Sequence, residues 1–288
     1  ALLRSSFVKF LVLSDIHGNN IALQAVLDKV KNQHYDRVLV LGDNIGDGPC
    51  PDKVLNILSQ LQPVMIQGNR EELACRHFAG FAETQKALQW QFMRESLSFM
   101  SRQQKEWIAS FPQQQTITEE GLSLRMVHGS PFSIRELLYY NNPQRLQECL
   151  AAIKEPILLC GHNHYQFAYL NGDTLVMNPG SIGLSQKNEA FRADYALLNL
   201  SAGQFSFELN HVYYDGEKIK QEYMDRNLWD TNIWGQIAYK EMSEGKMYII
   251  AFARFVFNLA RARNASSHPL DDAIWQEACE TWDWTPAK

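Results

Sequence analysis

The chain has 288 residues, of which 45% are hydrophobic and 20% charged, with a net charge of −5. That is room for one large domain, or a domain with an appendage, of ordinary globular composition. The acidic balance excludes a broad basic footprint for nucleic acid, while leaving open a phosphate recognised through metal ions.

Five cysteines, Cys50, Cys75, Cys149, Cys160 and Cys279, are odd in number and form no Cys-x-x-Cys pair. This argues against a disulfide framework or a thiolate zinc site and predicts a reducing, cytoplasmic setting. Residues 7–13 run into Asp15 with no small-residue cleavage site, so no secretory signal is expected. The longest apolar tract, residues 247–260, is broken by Arg254 and Asn258 and is too short to span a bilayer.

Taken in order, residues 7–14 form a nearly continuous apolar run, the pattern of a strand buried on both faces. A helix is predicted over 21–31, a second buried strand over 37–41, and a helix over 51–61 with Pro51 in its first turn. A short strand follows at 64–66. Strand and helix alternating at this pace indicate βαβ units and a largely parallel sheet. Residues 71–111 read instead as a helical insert of two or three helices covering one side of the sheet. Leu73, Phe78, Leu88, Phe92, Leu97 and Trp107 are its expected core contacts.

Residues 115–118 and 122–127 flank a hairpin signal at Glu119-Glu120-Gly121. A helix is expected over 143–153, capped by Asn142, and a short buried strand over 157–160. From residue 167 the texture becomes antiparallel, with hairpin signals at Asn171-Gly172 and Ser201-Ala202-Gly203. The pattern predicts two mixed sheets packed together with helices outside, ending near Asp215. Residues 216–288 read as a helical C-terminal extension. On its helix from Met247, Arg254, Asn258 and Arg261 make one polar stripe, and the apolar remainder needs cover from the body or a second subunit. A break is expected at 264–269, before a last helix over 270–284. No catalytic pattern is read in this extension.

The chemistry lies in five loops that each leave a strand: Asp15-Ile16-His17, Gly42-Asp43, Gly68-Asn69, His128-Gly129 and Gly161-His162-Asn163-His164. Loops at the carboxyl ends of parallel strands converge on one edge, where ligands bind. The convergent set is Asp15, His17, Asp43, Asn69, His128, His162 and His164. Two carboxylates, four imidazoles and an amide suit Mn, Fe, Zn, Ni or Co better than an all-oxygen Mg or Ca site. Seven ligands are too many for one such ion and fit two that share a bridge, an arrangement suited to in-line displacement at phosphorus.

These five blocks resemble the signature of the calcineurin-like metallophosphoesterases. Asp15-Ile-His-Gly-Asn19 and Asn178-Pro-Gly-Ser-Ile-Gly183 are similar to the prokaryotic YfcE-like branch, and Trp90, Trp107 and Phe111-Pro112 to the helical insert of its longer members. The likeness spans roughly residues 7–215. It implies an α/β fold, a four-layer α/β/β/α sandwich, for a domain over 1–215, with 216–288 as the extension. Asp15, His17 and His164 would hold a first metal, Asp43 would bridge, and Asn69, His128 and His162 would hold a second. The Asn178 loop would support the histidines.

Where phosphoprotein phosphatases of the superfamily carry Gly-Asn-His-Glu, this chain has Gly68-Asn-Arg-Glu71. A leaving-group acid is therefore missing. Arg70 could bind phosphoryl oxygens as a bidentate cation, or pair with Glu71, Glu72 or another acid. The expected function is hydrolysis of a small phosphate ester, first of all a phosphodiester, by a hydroxide bridging two divalent ions, Mn being the first choice. Alternatives are a phosphomonoesterase or protein phosphatase, and a non-catalytic protein-binding scaffold such as a retromer subunit that resembles the family. A homodimer through the C-terminal helices is a further expectation.

Overall fold

The computed structural model describes residues 7–79, 86–231, 233–265 and 270–287. Strand β1 (Val8–Leu13) sends Leu11 and Leu13 into one core and Phe10 and Val12 into another, so the run read as buried on both faces is buried between two layers. Around it the first sheet is ordered β10-β9-β1-β2-β3, with β2 Arg37–Val40, β3 Val64–Met65, β9 Arg192–Ser201 and β10 Gln204–Tyr213. The β1, β2 and β3 pairings are parallel; β9 runs antiparallel to both β1 and β10. The second sheet is ordered β4-β5-β6-β8-β7, with β4 Gln114–Glu119, β5 Leu122–Val127, β6 Ile157–Leu159, β7 Phe167–Asn171 and β8 Thr174–Asn178.

The sheets face each other across one apolar layer, in which Phe10, Val12, Leu39 and Leu41 meet Leu124, Met126, Ile157 and Leu159. Outside the first sheet lie helices α1 (Asn20–Val30) and α2 (Pro51–Leu61), and outside the second lies α6 (Pro143–Ala151), which adds Leu146 and Cys149 to the core around Leu158 and Val176. Helices, sheet, sheet, helix is the four-layer α/β/β/α order, and both sheets are mixed.

The 71–111 stretch holds α3 (Asn69–Phe78), α4 (Gln91–Ser98) and α5 (Arg102–Ala109), with a 3-10 turn at Leu88–Trp90; residues 80–85 lie outside those described. Leu97 is buried, and Leu73, Phe92 and Trp107 pack against the outer core. Phe78 does not belong to it: the residue is 40% exposed, beyond Ala74, the last buried residue of α3. At the hairpin read as Asn171-Gly172, Asn171 pairs with Thr174, so the turn residues are Gly172 and Asp173. Gly172 takes φ +59, which a glycine adopts without a Cβ penalty.

After β10 come α7 (Gly216–Asp225), α8 (Ile233–Glu244), α9 (Tyr248–Ala262) and α10 (Asp272–Thr281). The break expected at 264–269 falls mostly on 266–269, outside the described residues. Arg254, Asn258 and Arg261 are exposed along α9, while Phe252, Val256 and Ala260 pack with Trp234 of α8 and Ile274 and Ala278 of α10. The chain itself therefore supplies cover for that apolar face. All five cysteines are free thiols. Among the described residues no helix is long and apolar enough to cross a membrane.

Candidate metal centre

Asp15 and His17 follow β1, Asp43 follows β2, Asn69 follows β3 and opens α3, His128 follows β5, and His162 and His164 follow β6. The loops are tied to one another by backbone bonds. Asp15 N donates to Gly42 O (3.0 Å), His17 N to Asp43 O (2.8 Å), and Gly161 N to His128 O (2.7 Å). The 178–183 loop joins them through Gly183 N to Asp15 O (2.9 Å) and Asn178 Nδ2 to Gly161 O (2.7 Å).

Such density is possible because side chains are missing where loops touch. A Cβ on Gly42 would overlap the backbone of Gly68, and one on Gly68 would overlap Asp43. The polar residues themselves are bent into the left-handed region: φ is +53 at Asp15, +50 at His17, +53 at Asp43, +68 at His162 and +61 at His164. Non-glycine residues avoid that region at a cost of about 1–3 kcal/mol each, and hold it where the surroundings over-determine them, as at ligand sites.

Two groups of ligand atoms result, Asp15 with His17 and His164, and Asp43 with His128 and His162, each with its atoms within 4.8 Å of one another. In the first, His17 Nε2 and His164 Nε2 are 3.1 Å apart, and Asp15 Oδ1 lies 3.7 Å and 3.3 Å from them. In the second, His128 Nε2 lies 3.4 Å from Asp43 Oδ2 and 3.1 Å from Asn69 Oδ1. Asp43 Oδ2 is also 3.9 Å from His17 Nε2, which puts one carboxylate oxygen between the groups. All seven residues named from the sequence thus meet at one place. Asp15 Oδ1 is buried with no hydrogen-bond partner, an orphan that a cation would satisfy. The donor set and this orphan fit two divalent ions.

The electrostatics are those of a site built for positive charge. Burial opposes charge on His17, but the Asp15 and Asp47 carboxylates beside it and the charge of Asp43 push it up to about 10. Burial likewise opposes charge on His128, and the charges of Asp43 and Asp15 raise it to about 9. Burial and the neighbouring His128 drive His162 down to about 4. Asp15 and Asp43 are buried, which disfavours their ionised forms, yet the histidines around them hold both below the usual carboxylate range.

Arg70 pairs with neither Glu71 nor Glu72. Its Nε and Nη2 grip the two oxygens of Asp47, each at 2.9 Å, and its guanidinium sits 5.1 Å over the Phe92 ring. Glu71 instead accepts from the backbone of Asp43, Asn44 and Gly68, fixing the second and third loops.

Two residues of the site escaped the sequence reading. Asp47 is buried, lies 2.7 Å from His17 Nδ1, and accepts from Trp234 Nε1 (2.7 Å) on α8. Its backbone oxygen accepts from Tyr223 on α7 (2.7 Å). Glu241, also on α8, forms part of a cavity of about 150 Å³ with His17, Asp43, Asn69, His162 and His164. Burial pushes it up to about 8 although Gln186 Nε2 and Ile249 N donate to it. The signal for Glu241 was present: Trp234, Ile237, Ala238 and Met242 mark an apolar helical face on which it is the misplaced carboxylate. For Asp47 the Gly46-Asp47-Gly48 tripeptide was visible, but its partners on α7 and α8, Tyr223 and Trp234, lie 176 and 187 positions away.

Residues 8–203 match the family model described as the calcineurin-like phosphoesterase superfamily domain. The uncharacterised protein MJ0912 of Methanocaldococcus jannaschii is 24% identical over 240 residues, 75% of this chain and 92% of that protein. Among solved structures, the hypothetical protein PH1004 from Pyrococcus horikoshii OT3 is similar with a TM-score of 0.67 and 19% identity, over 83% of this chain and 98% of that one. A metallophosphoesterase from Sphaerobacter thermophilus gives a TM-score of 0.64 at 19% identity, over 83% and 99%. At such identities the two structures speak for the fold.

Proposed function

The chain belongs to the calcineurin-like phosphoesterase superfamily, and from that premise we propose that it is a dinuclear metal-dependent phosphoric ester hydrolase acting on phosphodiesters. The observation that carries the reading is Asp43 Oδ2, placed between two groups of Asp and His ligand atoms. In this reading Asp15, His17 and His164 would hold one ion, Asn69, His128 and His162 would hold the other, and Asp43 would serve both. Bound there, two divalent ions (manganese is our first choice) would acidify water and neutralise phosphoryl charge.

The chain's own residues do the positioning. Asp47 against Nδ1 turns His17 so that Nε2 faces His164, and Leu41 O accepts from His128 Nδ1, leaving Nε2 toward Asp43. Arg70 stands in the cavity wall with Nε and Nη2 held by Asp47, and Nη1, which no partner holds among the described residues, is the arm we assign to a phosphoryl oxygen. With Arg70 in place of a histidine, leaving groups that depart without a strong acid are favoured, and aryl or otherwise acidified diesters meet that condition.

Asp43→Ala tests this reading. Hydrolysis of bis-p-nitrophenyl phosphate should fall more than a thousandfold while the circular dichroism spectrum stays that of the parent. Metal analysis should show two ions per parent chain and fewer in the variant. Retained turnover, or less than one ion per parent chain after manganese repletion, would overturn the assignment and favour a binding scaffold.

A further inference from the structure

A second and larger cavity, of about 860 Å³, opens beside the metal-centre cavity, and Leu137, Tyr139, Met247 and Ile250 line both. That size falls at the upper end of small-molecule sites, about 300–1,000 Å³. Its wall is unlike that of the inner cavity. Tyr139 and Tyr165 stand with ring centres 6.3 Å apart, and Tyr140 and Phe167 with theirs 6.4 Å apart, so four aromatic side chains line one groove.

Two cations complete it, Lys187 and Arg254, and no Asp or Glu is among its lining residues. Lys187 Nζ donates to the carbonyl of Gln166 (3.0 Å) and forms no ion pair among the described residues. Arg254, exposed on α9, makes no hydrogen bond or ion pair among the described residues. In a chain of net charge −5, two uncompensated cations in one groove select for an anion. Aromatic faces bind flat rings by stacking and add cation–π attraction. Asn141, exposed among the lining residues, offers a side-chain amide as a polar contact.

We infer that this groove is the subsite for one substituent of the substrate, and that the substituent is a flat aromatic ring followed by a second anionic group, the chemistry of a nucleotide. The inference rests on the phosphodiester reading, since a phosphate held at the metal centre would send one substituent past the shared lining residues into the groove.

Calorimetric titration of the manganese-loaded protein tests it, with inorganic phosphate, decyl phosphate and α,β-methylene-ADP as probes. The nucleotide analogue should bind roughly tenfold or more tightly than inorganic phosphate, the gain expected of one stacked ring. Lys187→Ala with Arg254→Ala, and separately Tyr139→Ala, should each lose most of that gain. The Lys187/Arg254 double variant should still bind inorganic phosphate as the parent does, since that probe reaches only the metal centre. A nucleotide that binds no tighter than phosphate, a gain that survives in the double variant, or decyl phosphate as the tightest probe would each overturn the subsite. Failure of the parent to hydrolyse any diester would instead sink the underlying phosphodiester reading, and the binding measurements would report on the groove independently.

Discussion

Asp47 shows how one side chain can set the properties of several others. Its carboxylate touches His17, grips Arg70 through a two-pronged contact and accepts from Trp234. Burial disfavours its charge, but Arg70 and His17 hold it well below the ordinary carboxylate range. Replacing it by Asn keeps the shape and removes the charge. Partners of metal-binding histidines typically contribute 10–100-fold to metal affinity, so Asp47→Asn should weaken manganese binding by about that factor in a competition titration with a chelator.

Protons compete for the same place. In chelated protein His17, near 10, and His128, near 9, carry protons at neutral pH. Both are raised above the ordinary histidine value, so they are lost only as pH rises through 9–10. Metal loading at pH 7 must therefore release protons, and the apparent affinity should fall as pH is lowered. Calorimetry in buffers of different ionisation enthalpy measures that release directly.

Glu241 is shifted in the same direction, over a lower range of pH. Its folded value, about 8, is above that of the unfolded chain, so the folded state holds an extra proton between the two. Stability of the chelated protein should then fall by a few kcal/mol as pH rises from about 5 to 8. Glu241→Gln should flatten that part of the profile in urea denaturation.

Among the elements, the loops were legible and their wiring was not. Each strand that feeds the site is a short apolar run ending in a glycine or polar residue, and β1, β2, β5 and β6 fall where those runs lie. The seven ligand candidates could be read because metal-binding side chains beside glycine have few structural uses in such positions. The Gly42–Gly68 approach was legible only as two glycines, since nothing local tells that their backbones touch. Gly42→Ala should destabilise the protein by about 2 kcal/mol or more, because φ +93 and the Gly68 backbone both resist a Cβ. Thermal denaturation with and without metal checks it.

Helix α8 is the element whose role sequence patterning hid. Its period of apolar residues predicts a packed helix and says nothing of what it packs on. In the folded chain it delivers Trp234 to Asp47 and Glu241 to the cavity. Trp234→Phe retains a ring for the stack with Phe92 (4.7 Å between centres) and deletes the donor. The expected result is a loss in metal affinity smaller than that of Asp47→Asn, with little change in thermal midpoint.

For the whole molecule, the division at residue 215 separates segments of chain without separating cores. Ile219, Tyr223, Ala238 and Met242 belong to the same apolar cluster as Leu11, Leu23 and Val54. Salt bridges from Arg226 to Asp52 and from Lys53 to Glu222 fasten α7 to α2. Burying several large side chains at about 1.5–3 kcal/mol each exceeds what a marginally stable body can forgo. Truncation after Asp215 should therefore lower the thermal midpoint by about 10 °C or more, or prevent soluble expression.

The contact between Trp234 and Asp47 spans 187 positions, and on a ribosome that separation is a delay. Every ligand candidate, from Asp15 to His164, leaves the exit tunnel before α8 exists. During that interval the half-made centre lacks the wall that Glu241, Met247 and Ile249 provide in the finished cavity. An ion that arrives early meets open loops, whereas one that arrives late must enter through the finished cavity. Chains folded without metal should therefore load manganese more slowly than chains that fold with manganese present, which stopped-flow metal binding would measure.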